Sequence, residues 1–171
     1  MDNELTLQEV MQLHTKYLFR IAYYYTKNVQ VAEDVVQDTF VKFYHTKHYR
    51  EKGGLKAYLA RMTINLCKDY LKSWSYRKIQ LESTFFPQKH YIQRDSLVEA
   101  DENELLDVAI LSLPLKQREA IVYFYLENMQ SKEIAKLLGI SENTVKSRLR
   151  SGKAMLRERL QHIEWEVLLD E

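Results

Sequence analysis

The sequence contains little glycine and proline, which end helices and strands, and little cysteine, which forms disulfide cross-links. Its 171 positions contain 4 glycines, 2 prolines and a single cysteine, Cys67. So few turn formers exclude a sandwich or barrel of many short strands, and one cysteine excludes an internal disulfide or a multi-cysteine metal site. No apolar run approaches the ~20 residues of a membrane helix, and the acidic first residues do not resemble a signal peptide. We therefore expect long helices in a cytoplasmic protein.

The composition is that of a folded globular chain. Hydrophobic residues make up 46% and charged residues 29% of the sequence, and the length suits one medium domain or two small ones. The five histidines lack metal-binding spacing, and the two consecutive glycines at 53–54 are not followed by a phosphate-binding loop motif. These observations predict no cofactor, no metal site and no enzymatic activity.

The net charge of +1 hides a strong ordering of charge along the chain. Residues 42–78 contain ten Lys and Arg against two acidic residues, residues 95–107 contain six acidic residues and no base, and residues 144–160 contain six Lys and Arg against one acid. Two basic stretches separated by an acidic one predict two modules that face polyanions. The alternative is that these charges lie on ordinary solvated helix faces.

Helical periodicity predicts three helices in the first module. The first helix places Leu13, Tyr17, Leu18, Ile21, Ala22 and Tyr25 inward, so Tyr23, Tyr24 and Tyr25 are not all expected to face the core. The second places Ala32, Val35, Val36, Thr39, Phe40 and Phe43 inward, and its other face is acidic. A third helix is expected from about residue 55 to 74, after the glycine pair.

The periodicity weakens over residues 78–101, which we interpret as a flexible linker. A second module then begins with a helix near 102–111. Pro114 suits the first turn of the next helix, at about 115–127, which is expected to place Ala120, Ile121, Phe124 and Tyr125 inward.

The sharpest local pattern is a helix-turn-helix. Ser131 is expected to cap one helix, Gly139 to end it, and Ser141 to cap a basic helix that follows. Such a helix fits the DNA major groove, where polar and basic side chains bind base edges and phosphates. The candidate DNA-binding residues are Ser141, Asn143, Lys146, Ser147, Arg148, Arg150 and Lys153. Arg148 points away from Lys146 and is the better candidate for a phosphate. An ordinary helical hairpin is the alternative.

The same residues resemble region 4 of bacterial RNA polymerase sigma factors, most closely the extracytoplasmic function group. The matching segments are LPLKQREA at 113–120 and SKEIAKLLGISENTVKSRL at 131–149. Region 2 is resembled by AEDVVQDTF at 32–40 and YLARMTINLCKDYL at 58–71. The resemblance implies an all-α protein of two small helical domains: region 2 at 1–77, the linker at 78–101, and region 4 at 102–171.

The resemblance also implies a role for each polar face. Residues expected to bind core polymerase are Glu33, Asp34, Gln37 and Asp38. Residues expected to bind the downstream (−10) promoter element are Tyr49, Arg50, Arg61, Asn65, Lys68 and Lys72. The loop at 49–54 lies where the family captures a flipped base, and region 4 is expected to read the upstream (−35) element.

The resemblance implies three partners: core polymerase, promoter DNA and an anti-sigma factor. Core polymerase is expected to bind through its β′ clamp helices and β flap, and the anti-sigma factor is either soluble or membrane-bound. The free protein is expected to be a monomer without membrane insertion. The alternative function is a stand-alone helix-turn-helix regulator, which would dimerise on a palindrome. Binding of duplex promoter by the isolated chain would favour that alternative.

Overall fold

A computed structural model describes residues 5–46, 54–73 and 100–161, with side chains from residue 105 onward in the last range. Every regular element in these ranges is helical, and the helices form two compact units. The predicted all-α class with two helical domains is confirmed. Residues 74–99, which hold most of the expected linker, lie outside the described residues.

The first unit contains three helices: α1 (Leu7–Thr26), α2 (Val29–Tyr44) and α3 (Leu55–Lys72). A capping box begins α1, because the Thr6 backbone N–H donates to Glu9 Oε2 at 2.7 Å and Thr6 Oγ1 accepts from the Glu9 backbone N–H at 3.3 Å. Asn28 caps α2 by accepting from the Val31 backbone N–H at 3.0 Å. Gly54, at φ 94°, precedes α3 in a conformation that favours glycine.

The core of the first unit differs from the predicted pattern along α1. Leu13 is 63% exposed, and most of the buried residues of α1 lie in the second half of the helix. There Tyr23, Tyr24 and Tyr25 are all buried, so the expectation that they cannot all face inward is wrong. The physical reason is that α1 packs against both α2 and α3, which covers more than one of its faces.

The second unit contains α4 (Ala100–Leu111), α5 (Leu115–Ile121), α6 (Ser131–Leu138) and α7 (Glu142–Arg159). The first of these begins two residues before the predicted position 102. Pro114 directly precedes α5, close to its predicted place. The helices α4 and α7 both pack against α5, and α7 also packs against α4 and α6.

A π-helical turn, Val122–Leu126, continues α5 and changes which residues face inward. The Glu127 backbone N–H donates to the Val122 carbonyl, five residues earlier, at 3.1 Å. Because a π-turn holds more residues than an α-turn, the periodicity shifts. Val122 and Tyr123 are therefore buried, whereas Phe124 and Tyr125, which were expected to face inward, are half-buried.

The predicted helix-turn-helix is formed by α6 and α7, with one change at its start. The N-cap residue of α6 is Gln130 and not Ser131. The Gln130 backbone N–H donates to Glu133 Oε2 at 2.7 Å. The expected Ser131 cap is therefore wrong. Gly139 ends α6 in the left-handed region at φ 67°, and Ser141 caps α7, as predicted.

Candidate functional site

The acidic face of α2 is exposed to solvent. Its four members are exposed: Glu33, Asp34, Gln37 and Asp38. The opposite side of the helix, with Val35, Val36 and Phe40, is buried against the first unit. Gln30 Nε2 donates to Asp34 Oδ1 at 3.3 Å, a contact along the helix surface that water can replace. The structure therefore presents these side chains together, on one side of one helix, to solvent.

The basic face of α3 is formed by positions that follow a helical period. Arg61, Asn65 and Lys72 are exposed and Lys68 is half-buried, while Leu59, Thr63 and Cys67 on the other side are buried. Lys56 Nζ lies 4.2 Å from the centre of the Tyr17 ring, which attaches the first turn of α3 to α1. Tyr49 and Arg50, the other predicted members of this site, lie outside the described residues.

The outward face of α7 comprises Asn143, Lys146, Ser147 and Arg150, all of which are exposed. Ser141 Oγ accepts from the Thr144 backbone N–H at 3.1 Å and lies 2.7 Å from Thr144 Oγ1. Lys146 Nζ lies 3.1 Å from Glu142 Oε1, one helical turn earlier. Exposed pairs of this kind contribute about 0.5 kcal/mol or less, so Lys146 can leave Glu142 for a stronger partner at little cost.

Two predicted DNA-binding residues on α7 have contacts inside the second unit. Arg148 Nη1 lies 3.6 Å from Glu119 Oε2, and the Arg148 side chain is 18% exposed. Lys153 Nζ lies 5.7 Å from the centre of the Tyr125 ring. The structure thus places Arg148 and Lys153 apart from the outward face, toward α5 and the π-turn.

Two charged residues missed by the sequence analysis are buried in α5. Arg118 is 3% exposed and donates from Nη1 to the Leu111 carbonyl at 3.0 Å, which satisfies an end of α4. Glu119 is 4% exposed and faces Arg148. The periodicity of α5 gives no signal for either, because its predicted inward set began with Ala120. Their burial depends on α4 and α7, which cover further faces of α5.

Burial shifts the pKa of two titratable side chains in the first unit, Cys67 and His14. Burial raises the pKa of Cys67 to about 12, so the thiol stays protonated near neutral pH. Burial, and secondarily the charge of Lys56, lowers the pKa of His14. Within the described ranges, no three His, Cys, Asp or Glu side chains cluster in a way that could hold a metal ion.

Comparison with protein families matches both units. The model described as sigma-70 region 2 matches residues 10–75, and the model described as sigma-70, region 4 matches residues 103–156. The chain belongs to the sigma-70 family of RNA polymerase sigma factors. Region 2 accordingly contains the acidic face of α2 and the basic face of α3, and region 4 contains the outward face of α7.

Individual relatives place this sigma factor in the extracytoplasmic function (ECF) group. It is 30% identical to the ECF sigma factor SigE of Mycolicibacterium smegmatis over 89% of this chain and 60% of that protein, so it spans about three fifths of SigE. It is also 30% identical to the sigma-E factor of Streptomyces avermitilis, over 92% of this chain and 86% of that protein.

A solved structure shares the fold. The sigma factor RpoE of Bartonella quintana, determined in complex with the anti-sigma factor NepR, matches with a TM-score of 0.73 and 23% sequence identity. The match covers 92% of this chain and 98% of the RpoE chain. Among the described residues, no helix is both long and apolar enough to cross a membrane.

Proposed function

We propose that this sigma factor binds core RNA polymerase and directs promoter-specific initiation of transcription. Region 4 reads the −35 element, and region 2 melts and reads the −10 element. The observation that carries the proposal is that three polar faces occur on helices whose opposite sides are buried. One face is acidic and suits a basic protein surface, and the other two are rich in cations and suit DNA.

Core binding is assigned to the acidic face of α2, with the β′ clamp helices as the partner. Its carboxylates and the Gln37 amide are exposed and take no part in the core of region 2, so they can be desolvated on docking without loss of the fold. Region 4 adds a second contact, to the β flap. The chain contributes binding and orientation to transcription and no chemical step of its own.

Promoter opening is assigned to the basic face of α3 together with the loop at 49–54. Arg61, Asn65 and Lys72 are exposed along one side of a single long helix, a surface that can follow a DNA backbone. Stacking of a flipped base on an aromatic side chain such as Tyr49 contributes ~1–3 kcal/mol, which offsets the cost of unstacking that base.

Reading of the −35 element is assigned to the outward face of α7. Lys146 and Arg150 are four residues apart and therefore project from one side of the helix toward the major groove. The proposal is supported by the start of α7, which Ser141 caps and which is exposed, because a helix N-terminus favours a phosphate. The DNA-binding roles predicted for Arg148 and Lys153 require both side chains to leave contacts within region 4, so we assign them a secondary part in DNA binding.

Regulation by an anti-sigma factor, soluble or membrane-bound, forms part of the proposal. It is supported by RpoE, which shares this fold and was solved with such a partner. We further propose that the free protein is a monomer. We place it in the cytoplasm, because its proposed partners, core polymerase and promoter DNA, are reached from there.

The first test measures binding to core polymerase. Replacing Asp34 and Gln37 together by Ala should lower affinity roughly tenfold or more, the effect of losing one interface hot spot. Helix content should stay unchanged, because both side chains are exposed. Gln12→Ala, an exposed amide on α1, is the matched control. Full core binding by the double variant would refute the docking surface, and tight binding of duplex promoter by the free chain would favour a stand-alone regulator.

The second test separates base reading from general DNA affinity. In holoenzyme, Arg150→Ala should cost ~1–3 kcal/mol on the preferred −35 element and little on a scrambled one, because a base contact carries sequence information. An equal loss on both would assign Arg150 to the phosphate backbone.

A third test concerns strand opening by region 2. Permanganate footprinting of Asn65→Ala holoenzyme should show reduced strand opening with normal closed-complex affinity.

A further inference from the structure

The interface between α5 and α7 in region 4 combines a charged contact with a close steric one. Glu119 Oε2 lies 3.6 Å from Arg148 Nη1. One turn further along α7, Gly152 is buried, and a Cβ placed on it would lie 2.8 Å from Ile121 Cγ1. Arg148 and Gly152 are four residues apart and so lie on the same side of α7.

These two contacts constrain different motions of α7. The absence of a side chain at Gly152 allows the helices to approach closely, which sets their separation. The ion pair joins α7 to α5 at a second position, one turn away from Gly152, so it opposes rotation of α7 about its own axis. A rotation of ~20° would move a side chain at the helix surface by ~2 Å, enough to break a hydrogen bond to a base edge.

The ion pair is well suited to this role because its acid is shielded from water. The Glu119 side chain is 4% exposed and that of Arg148 18%. Water cannot easily reach a carboxylate that is so deeply buried. Breaking the pair with the guanidinium group is therefore costly. The exposed pair between Lys146 and Glu142 has no such constraint.

We propose that Glu119 is a positioning residue for promoter recognition, which acts through Arg148 to fix the rotation of α7. Glu119 is buried and does not touch DNA. It determines how sharply the outward face of α7 distinguishes one base from another. The proposal rests on the proposed function of α7 as the reader of the −35 element.

The test uses full-length protein assembled with core polymerase and a promoter library randomised over the upstream element. Glu119→Gln keeps the shape of the side chain and removes its charge, and Arg148→Lys keeps the charge but loses the planar guanidinium. Glu158→Gln, the same change at an exposed position of α7, is the matched control. The readout is the transcript ratio between the sequences that the wild-type holoenzyme prefers and scrambled ones.

We expect Glu119→Gln to lower this ratio roughly tenfold, with base preferences weakened at several positions together, and Glu158→Gln to leave it unchanged. A purely structural role would reduce the amount of folded protein and lower transcription from all sequences alike, without changing the ratio. An unchanged ratio in Glu119→Gln therefore overturns the proposal. If Glu119→Gln does not fold, Arg148→Lys decides by the same ratio. A wild-type holoenzyme without any upstream preference would instead refute the proposed function of α7, and the inference with it.

Discussion

Regions 2 and 4 each contain a polar contact between helices, but the two contacts differ in charge. In region 2, Thr39 Oγ1 on α2 and Thr63 Oγ1 on α3 lie 3.0 Å apart, and both residues are buried. In region 4, the corresponding contact joins the ions Glu119 and Arg148. The polar contact between helices is therefore formed by neutral hydroxyl groups in region 2 and by charged groups in region 4.

The difference lies in how far each group depends on its partner. Thr39 Oγ1 also lies 2.8 Å from the Val35 carbonyl, and Thr63 Oγ1 lies 3.0 Å from the Leu59 carbonyl, so each hydroxyl has an acceptor on its own helix. The Glu119 carboxylate cannot be satisfied by carbonyl groups, because it accepts hydrogen bonds only. The orientation of α2 and α3 is thus set mainly by apolar packing, whereas that of α7 also depends on a charge.

The largest effect should come from removing the cation of the ion pair. Arg148→Met should lower the free energy of unfolding of region 4 by about 3 kcal/mol, since the Glu119 charge is left buried without this partner. Arg150→Met, at an exposed position on the same helix, should change it by less than about 0.5 kcal/mol. Hydrogen exchange of region 4 amides in the full chain measures both, and equal protection in the two variants would contradict the comparison.

A smaller effect is expected at the steric contact beside the ion pair. Gly152→Ala places a Cβ within 2.8 Å of Ile121 Cγ1, and overpacking of this kind costs ~1–3 kcal/mol. The better helix propensity of alanine returns up to about 1 kcal/mol, so a net loss of about 1 kcal/mol is expected. Ser151→Ala, at the preceding half-buried position, is the control. Stabilisation by Gly152→Ala would mean that the Ile121 side chain can shift to make room for the methyl group at little cost.

The faces presented by single helices were predictable from the sequence. The polar side chains that were expected to face outward are mostly exposed. They lie within residues 33–38 on α2, 61–72 on α3 and 143–150 on α7. Periodicity within one helix, together with the apolar positions between them, is sufficient to place such side chains. The end of α6 at Gly139 and the cap of α7 at Ser141 were predictable for a similar reason, since each depends on a few neighbouring residues.

Features that depend on several helices were not predictable in this way. The contact of Glu119 with Arg148 requires the packing of α5 against α7, and the burial of Tyr23, Tyr24 and Tyr25 requires helices on more than one side of α1. The π-turn at Val122–Leu126 shifts the helical period without a glycine or proline to mark it. Arg148 was assigned to DNA because the sequence showed its charge but not the buried acid that faces it.

The hydroxyl pair of region 2 should be more tolerant than the ion pair. Thr39→Val should cost about 1 kcal/mol, because it removes one buried hydrogen bond while Thr63 can still donate to the Leu59 carbonyl. Replacing both threonines by Val should cost no more than the single change, since apolar groups of similar shape then face each other. Chemical unfolding of the full chain, with hydrogen exchange of region 2 amides, measures this. A double variant far less stable than Thr39→Val would show that region 2 also depends on its polar contact.

The smallest effect concerns pH, and it should appear in region 2 alone. Cys67 is buried in α3, and its pKa is raised from 9.0 to about 12 in the folded protein. Because the folded state binds the thiol proton more tightly, this contribution to stability is complete well below pH 9 and is lost progressively as the pH rises from about 8 toward 12. Between pH 8 and 9.5 the loss amounts to about 0.8 kcal/mol.

Tyrosine and lysine side chains also titrate at high pH, so the measurement must isolate the thiol. The stability of region 2 should be compared at pH 8 and 9.5 in the wild type and in Cys67→Ala, by hydrogen exchange corrected for the intrinsic effect of pH. The wild type should lose about 0.8 kcal/mol more than the variant over this interval. Region 4 is the internal control because it contains no cysteine. The same loss in both proteins would mean that the thiol ionises as readily in folded region 2 as in the unfolded chain, and that α3 opens to water.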